Sequence, residues 1–267
     1  MQGLSAQIVV NNNSANTKRM AVDLGTPIDS SRYEMVYVMQ IRDPEITDIR
    51  TEVRILQIGD STLRDGGYAR FRIDSVLWKI HEPTTTMKDI AMITSGYAKL
   101  PGPEHVRLYI HSNGRWRESE MIGFSGFCAL DSTATQKWEL LDGNKEIAGF
   151  NCKKARTHFR GREWIVWYTP DIPYSAGPWK LGGLTGLILR ASSGDKECVM
   201  EARFLRRSND IISSHREHYT LVSREEFRKR YQEDNEYPFR TAFWNQNGRH
   251  ERYDERQFYN PIEKTLD

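Results

Sequence analysis

The chain has 267 residues, with 38 lysines and arginines against 36 aspartates and glutamates and a formal net charge of +2. That near-balance excludes the general electrostatic footprint of a nucleic-acid binder, and no apolar run approaches the roughly 20 residues that span a bilayer as a helix. Hydrophobic residues make up only 38%, yet seven Trp, twelve Tyr and ten Phe can bury large areas, so the composition describes a folded domain with a polar surface.

The first residues, MQGLSAQ, lack the apolar core of a signal peptide. Gly3-Leu4-Ser5-Ala6 before Gln7 looks like the tail end of one, and an ordinary flexible N-terminus accounts for it equally well. Residues 11–30 are rich in Asn, Ser and Thr without periodicity, which predicts a loop or disordered arm. Strands are expected at 33–39 (YEMVYVM) and at 53–58 (VRILQI), the second stopped by Gly59-Asp60. Residues 68–80 and 84–97 carry mixed helical spacing, and Pro101-Gly102-Pro103 follows as a turn.

From 105 the pattern is strand after strand. The run 105–111 meets the hairpin signal Asn113-Gly114 and returns over 116–122. Further strands are expected at 137–140, 146–156, 163–168, 184–191 and 198–205, with a turn at Asp142-Gly143-Asn144. Ser223 with Glu226 is a capping box that opens a short charged helix through about Tyr231. Residues 232–258 predict an extended arm lying on the domain through Tyr237, Phe239, Phe243 and Trp244. The expected fold is mainly β, of the α+β kind: a curved antiparallel meander or half-barrel with one or two packed helices and a C-terminal extended arm. Its divisions are a flexible arm at 1–30, a β-rich domain at 31–222, and a helix-plus-arm at 223–267.

A family resemblance enters at 137–191. Ile147-Ala148-Gly149-Phe150-Asn151-Cys152, Phe159-Arg160-Gly161-Arg162, Trp167-Tyr168-Thr169-Pro170-Asp171-Ile172-Pro173 and the block GPWKLGGLTGLI at 177–188 resemble the GLPGLI family. Leu56 to Ser61 and Tyr259-Asn260-Pro261-Ile262-Glu263 resemble its early strand and its ending. The resemblance implies a secreted or envelope protein, mainly of Bacteroidota, with no established biochemical function and with its signal peptide truncated. Thr185 stands where the family has a proline, which implies a looser turn.

Within the block, Gly182, Gly183 and Gly186 frame Leu184 and Leu187-Ile188-Leu189, as bulges or close backbone approaches do. A phosphate loop needs a following helix, and here a strand follows. Pro173, Gly177 and Pro178 make a rigid connection that holds Trp179, either as a buried plug or at a ligand mouth. Trp164 and Trp167 lie on opposite faces of a strand that is apolar on both sides. Arg160 and Arg162 flank Gly161 in a tight turn, able to clamp an anion or to pair with carboxylates such as Glu163 and Asp171. Cys128, Cys152 and Cys198 match no zinc spacing, and whether Cys152 faces the core or pairs with Cys198 stays open.

Gly59-Asp60-Ser61 after an apolar strand hints at a hydrolase nucleophile, but no Asp stands three residues before His215, His218 or His250 to supply the base. His215 and His218 lack a third metal ligand of obvious spacing. The expectation is therefore a non-enzymatic protein without catalytic residues, cofactor or metal, binding a hydrophobic ligand or a partner envelope protein through Arg160, Arg162, Trp164, Trp167 and Trp179. The alternatives are a structural protein–protein interaction module, and an enzyme acting on an anionic substrate through Arg160 and Arg162.

Overall fold

A computed structural model of the chain describes residues 19–20, 25–46, 48–80, 85–97, 107–123, 125–132, 135–214, 219–236, 243–244, 250–251 and 258–266. The N-terminal Gly3 to Gln7 stretch, Pro101-Gly102-Pro103, His215, His218, Tyr237 and Phe239 lie outside the described residues.

The architecture grows from one long strand. In β1 (Pro27–Asp43), Met35, Tyr37, Met39 and Ile41 recur every second residue and are all buried, the period that puts alternate side chains on one face. This strand pairs from Ser31 to Asp43 with β2 (Asp48–Gly59) on one side and from Tyr33 to Ile41 with β11 (Cys198–Arg207) on the other. Antiparallel pairings extend the sheet past β2 through β3 (Leu63–Gly67), β4 (Leu108–Ser112), β5 (Arg115–Ile122) and β6 (Ser125–Ser132). Past β11 they extend it through β10 (Leu187–Ser193), β9 (Arg162–Thr169), β8 (Phe150–Phe159) and β7 (Glu139–Ile147). Short β12 (Ile211–Ser213) pairs with β1, and β13 (Thr220–Leu221) adds a parallel pairing to β6. The order is β13-β6-β5-β4-β3-β2-β1-β11-β10-β9-β8-β7.

The two wings curl toward each other. Tyr109 and Trp116 from one wing share a single hydrophobic core with Ile147, Cys152, Ala155, Trp164 and Val166 from the other. The expected mainly β, curved antiparallel sheet is the fold observed. Helix α1 (Tyr68–Ile80) packs on the outer face of β2 and β3, burying Phe71 and Leu77. Helix α2 (Met87–Tyr97) packs on α1. Helix α3 (Arg224–Glu236) packs on β5 and β6 and buries Phe227. It opens as its capping box requires: the Ser223 hydroxyl accepts from the Glu226 N–H at 3.1 Å. Among the described residues no helix is long and apolar enough to cross a membrane.

Two turns differ from the sequence expectation. The expected single strand at 146–156 is broken by Ala148-Gly149, whose φ angles of 50° and 81° make the mirror-image turn that twisted hairpins favour. Asp142-Gly143 makes no chain reversal. It forms an irregularity inside β7, opposite the register shift at Lys153/Lys154, with Gly143 at φ 144°. The Asn113-Gly114 hairpin forms as expected, with φ of 51° and 71°.

Candidate functional site

Alternation along β2 places Glu52 and Arg54 on the same inward face as Leu56 and Ile58. Alternation along β5 does the same for Glu118 and Glu120 with Trp116. Charged groups buried this way must be answered by partners. Arg54 is answered in full: Nε donates to Asp65 at 2.8 Å and Nη1 to Glu52 at 3.0 Å, while Nη2 holds the Arg107 carbonyl at 2.7 Å. The Tyr37 hydroxyl donates to the second Asp65 oxygen, and the Trp179 backbone N–H donates to that same oxygen at 2.8 Å. Asp65 therefore ties the Pro-Gly segment of one wing to the strands of the other.

Above this floor lies a cavity of about 580 Å³, within the ~300–1,000 Å³ range of small-molecule sites. Glu52 and Arg54 of β2, Tyr109 of β4 and Glu120 of β5 form its polar wall. Met39, Ile41 and Met121 supply apolar surface, and Tyr231, Asp234 and Asn235 of α3 close one side. The C-terminal residues Asn260, Pro261 and Ile262 close another. Arg107 lies 3.7 Å from the centre of the Tyr231 ring, with Glu118 as its nearest carboxylate at 3.7 Å. Burial, followed by the charge of Glu52, outweighs Arg107, Arg54 and the Met121 N–H and pushes the Glu120 carboxyl up to about 7. Burial also raises Asp234, against a hydrogen bond from the Gly123 backbone.

A second buried cluster secures the cavity's C-terminal wall. Lys180 Nζ lies 2.8 Å from Asp131, 2.6 Å from Glu263 and 3.6 Å from Glu118. Asp131 also accepts from Arg160 at 2.8 Å, and Arg224 pairs with Glu263 at 2.7 Å. Burial alone would raise Glu263, but Lys180 and Arg224 prevail and hold it below the usual carboxylate range. Arg160 and Arg224 both donate to the Leu266 carbonyl. Arg162 reaches the Pro261 and Ile262 carbonyls, the Asn260 side chain, Asp195 and Glu197.

The residues singled out from sequence are thus placed as follows. Arg160 and Arg162 turn inward at the β8–β9 hairpin, where Arg160 and Gly161 take φ of 54° and 74°. Their guanidiniums hold acids and the C-terminal segment rather than Glu163 and Asp171. Trp164 and Trp179 are fully buried, 5.7 Å apart in the core, and Trp167 is partly buried on the opposite face of β9. Pro173, Gly177 and Pro178 lie in the connection from β9 to β10 that delivers Trp179, itself at φ 58°. Gly186 passes so close to the Thr169 carbonyl that a Cβ would sit 2.2 Å from it, and Gly183 takes φ 87°. Cys128, Cys152 and Cys198 are buried free thiols. Among the described residues no group of three or more His, Cys, Asp or Glu is placed to hold a metal ion.

None of these residues lines the cavity. Glu52, Arg54, Arg107, Glu120 and Tyr231 do, and none was marked as a site in the sequence. The signal available was parity: an acid and a base standing at inward positions of strands whose other inward positions are apolar.

The comparisons with known proteins bear on this region. The family model described as N-glycanase peptide, N-terminal domain (PNGase F-II) matches residues 109–229, from β4 into α3. Two solved structures of PNGF-II, in P21 and C2 space groups, resemble the chain with TM-scores of 0.48 and identities of 16% and 17%. Each alignment covers 78% of this chain and 34% of PNGF-II, so the chain spans about a third of those proteins. No curated protein matches it. The N-glycanase match overturns the GLPGLI assignment: its window contains the 177–188 block, and that block is a Pro-Gly entry to a core strand, a packing solution that does not identify a family. It also overturns the expectation of a non-enzymatic protein of unknown function, since the matched family is named for a glycanase.

Proposed function

We propose that this chain is a glycoprotein-processing domain of the N-glycanase type, and that the sheet cavity receives the N-glycosylated part of the substrate. The family match over 109–229 carries this proposal, because the matched strands contribute Tyr109, Glu120, Met121 and Gly123 to the cavity lining. The chemistry of the lining supports it. A sugar presents many hydroxyl and amide groups that need partners when desolvated, and the wall offers carboxylates, guanidiniums, phenols and amides beside a small apolar surface. N-glycosylated proteins are displayed on cell surfaces and in secretions, so we place the chain outside the cytoplasm. Fractionation of the cells that make it, with the protein confined to the cytosol, would remove that placement.

The test uses one peptide in two forms, N-glycosylated and enzymatically deglycosylated. Titration calorimetry is expected to give at least tenfold tighter binding of the glycosylated form, lost on filling the cavity by Met121→Trp. Mass spectrometry of the same mixture reports free glycan, and its appearance with the chain alone assigns the hydrolysis itself to this chain. Equal affinity for the two peptides, or none for either, refutes the proposal.

A further inference from the structure

We propose that Glu120 serves the cavity as a protonated carboxyl that donates a hydrogen bond to a carbonyl oxygen of the ligand, the acetamido group of a glycan being the chemistry that fits, which rests on the glycan assignment above. The basis is an asymmetry among the buried acids. Asp65 has Arg54 at 2.8 Å, Asp131 has Lys180 and Arg160 at 2.8 Å, and Glu34 has Arg206 at 2.6 Å. Glu120, 9% exposed on the cavity wall, makes no ion pair among the described residues, and the Met121 N–H bonds to it.

The charged and titratable groups around it explain why. From β2 come Arg50, Glu52 and Arg54; Arg50 donates to Asn235 and lies over the Phe258 ring, and Arg54 is taken up by Asp65 and Glu52. Tyr109 stands on β4, with Arg107 just before that strand, its guanidinium laid over the Tyr231 ring. Glu118 shares β5, and α3 contributes Tyr231 and Asp234. No cation makes an ion pair with Glu120 among the described residues, and burial together with the charge of Glu52 outweighs the more distant Arg107 and Arg54, so the carboxyl keeps its proton near neutrality. A buried neutral carboxyl is a donor without an acceptor until a ligand supplies one, and an unmet donor is costly to leave buried. An acetamido carbonyl supplies the acceptor, and its methyl finds Met39, Ile41 and Met121 on the apolar side.

The experiment titrates the whole chain with N,N′-diacetylchitobiose at pH 5.5 and 8.5. The wild type is expected to bind at least tenfold more tightly at pH 5.5. Glu120→Gln keeps the shape and carries a permanent N–H donor, so it should bind equally at both values. Wild-type affinity that is the same at both values overturns the proposal and leaves the glycan assignment standing. A Glu120→Gln variant that keeps the wild-type pH dependence does the same. Absence of binding at both pH values overturns both. Should Glu120→Gln fail to fold, proton uptake by the wild type decides: calorimetry at pH 7.5 in two buffers of different ionisation enthalpy should show protons taken up on binding, and zero uptake refutes the proposal.

Discussion

Replacing Lys180 by Met tests the charge network that holds the C-terminal wall of the cavity. The ammonium is 1% exposed and faces three carboxylates, those of Asp131, Glu263 and Glu118. Removing one partner of a buried ion pair costs about 3–5 kcal/mol, because the remaining charge is left without compensation. Here compensation is partial. Asp131 keeps Arg160 and Arg224, and Glu263 keeps Arg224. Glu118 is left with Arg107 at 3.7 Å, and its Oε2 has no hydrogen bond among the described residues. The loss should therefore fall near the lower end, about 3 kcal/mol, which for a domain of this size lowers Tm by roughly 6–12 °C. Urea unfolding at pH 7, followed by tryptophan fluorescence, measures it. The acid side gives a second readout. Glu263 has a folded pKa below its ordinary value, so its contribution is present above about 4.5 and is lost as pH falls through the folded value. Lys180→Met removes the main cation behind that depression and should flatten the acid limb of the stability curve. A variant within 0.5 kcal/mol of wild type at pH 7, with an unchanged acid limb, refutes the account of the network.

Two further substitutions read the cavity and the turn that delivers Trp179. Glu120 is raised from 4.5 to about 7, so its ionisation opposes folding increasingly from pH 4.5 upward and fully above 7; Glu120→Gln should raise stability at pH 8 by about 3 kcal/mol and change it little at pH 4 by urea unfolding, and a variant no more stable than wild type at pH 8 refutes the linkage. Gly186→Ala would place a methyl 2.2 Å from the Thr169 carbonyl oxygen, a backbone atom that can move only with β9, so a loss of more than about 2 kcal/mol is expected, and a thermal midpoint equal to wild type shows that the strand can give way.

The strands, the Asn113-Gly114 hairpin and the α3 cap were legible because each rests on residues within a few positions of one another. The Ala148-Gly149 turn was hidden because Ala gives no turn signal and the flanking residues continue an alternating pattern, so two strands read as one. Asp142-Gly143 has the composition of a turn, yet Gly143 stays in the strand, where Trp167 packs against its bare backbone. Arg160 and Arg162 read as a clamp for an anion since sequence shows only their shared turn. Their partners Leu266, Asn260, Pro261 and Ile262 lie about 100 residues away, and only the assembled sheet brings them together. The cavity was illegible for the same reason: its lining comes from β1, β2, β4, β5, α3 and the C-terminal segment, and the hairpin and capping signals these elements carry mark their ends and not a shared cavity.

What separates the cavity from the rest of the interior is how its acids are answered. This fold buries many charges, and most are closed into local pairs: Asp65 with Arg54, Asp131 with Lys180 and Arg160, Glu34 with Arg206. Such pairing is what a stable interior requires, since an isolated buried charge is expensive. Packing alone would be served at position 120 by an apolar residue such as Leu, which would fill the space beside Met121 without a desolvation cost. A carboxyl kept there without an ion pair among the described residues lowers stability at neutral pH and gives the cavity a group that can exchange a proton in that range. Proteins accept local instability of this kind where a site must do chemistry or recognise a polar ligand. The same cost falls on Arg107, whose Nε and Nη2 find no acceptor among the described residues although the guanidinium is buried against Tyr231 and Phe227. Two unmet donors on one cavity wall, the Glu120 carboxyl proton and the Arg107 N–H groups, are poorly explained by folding and well explained by a ligand that brings acceptors.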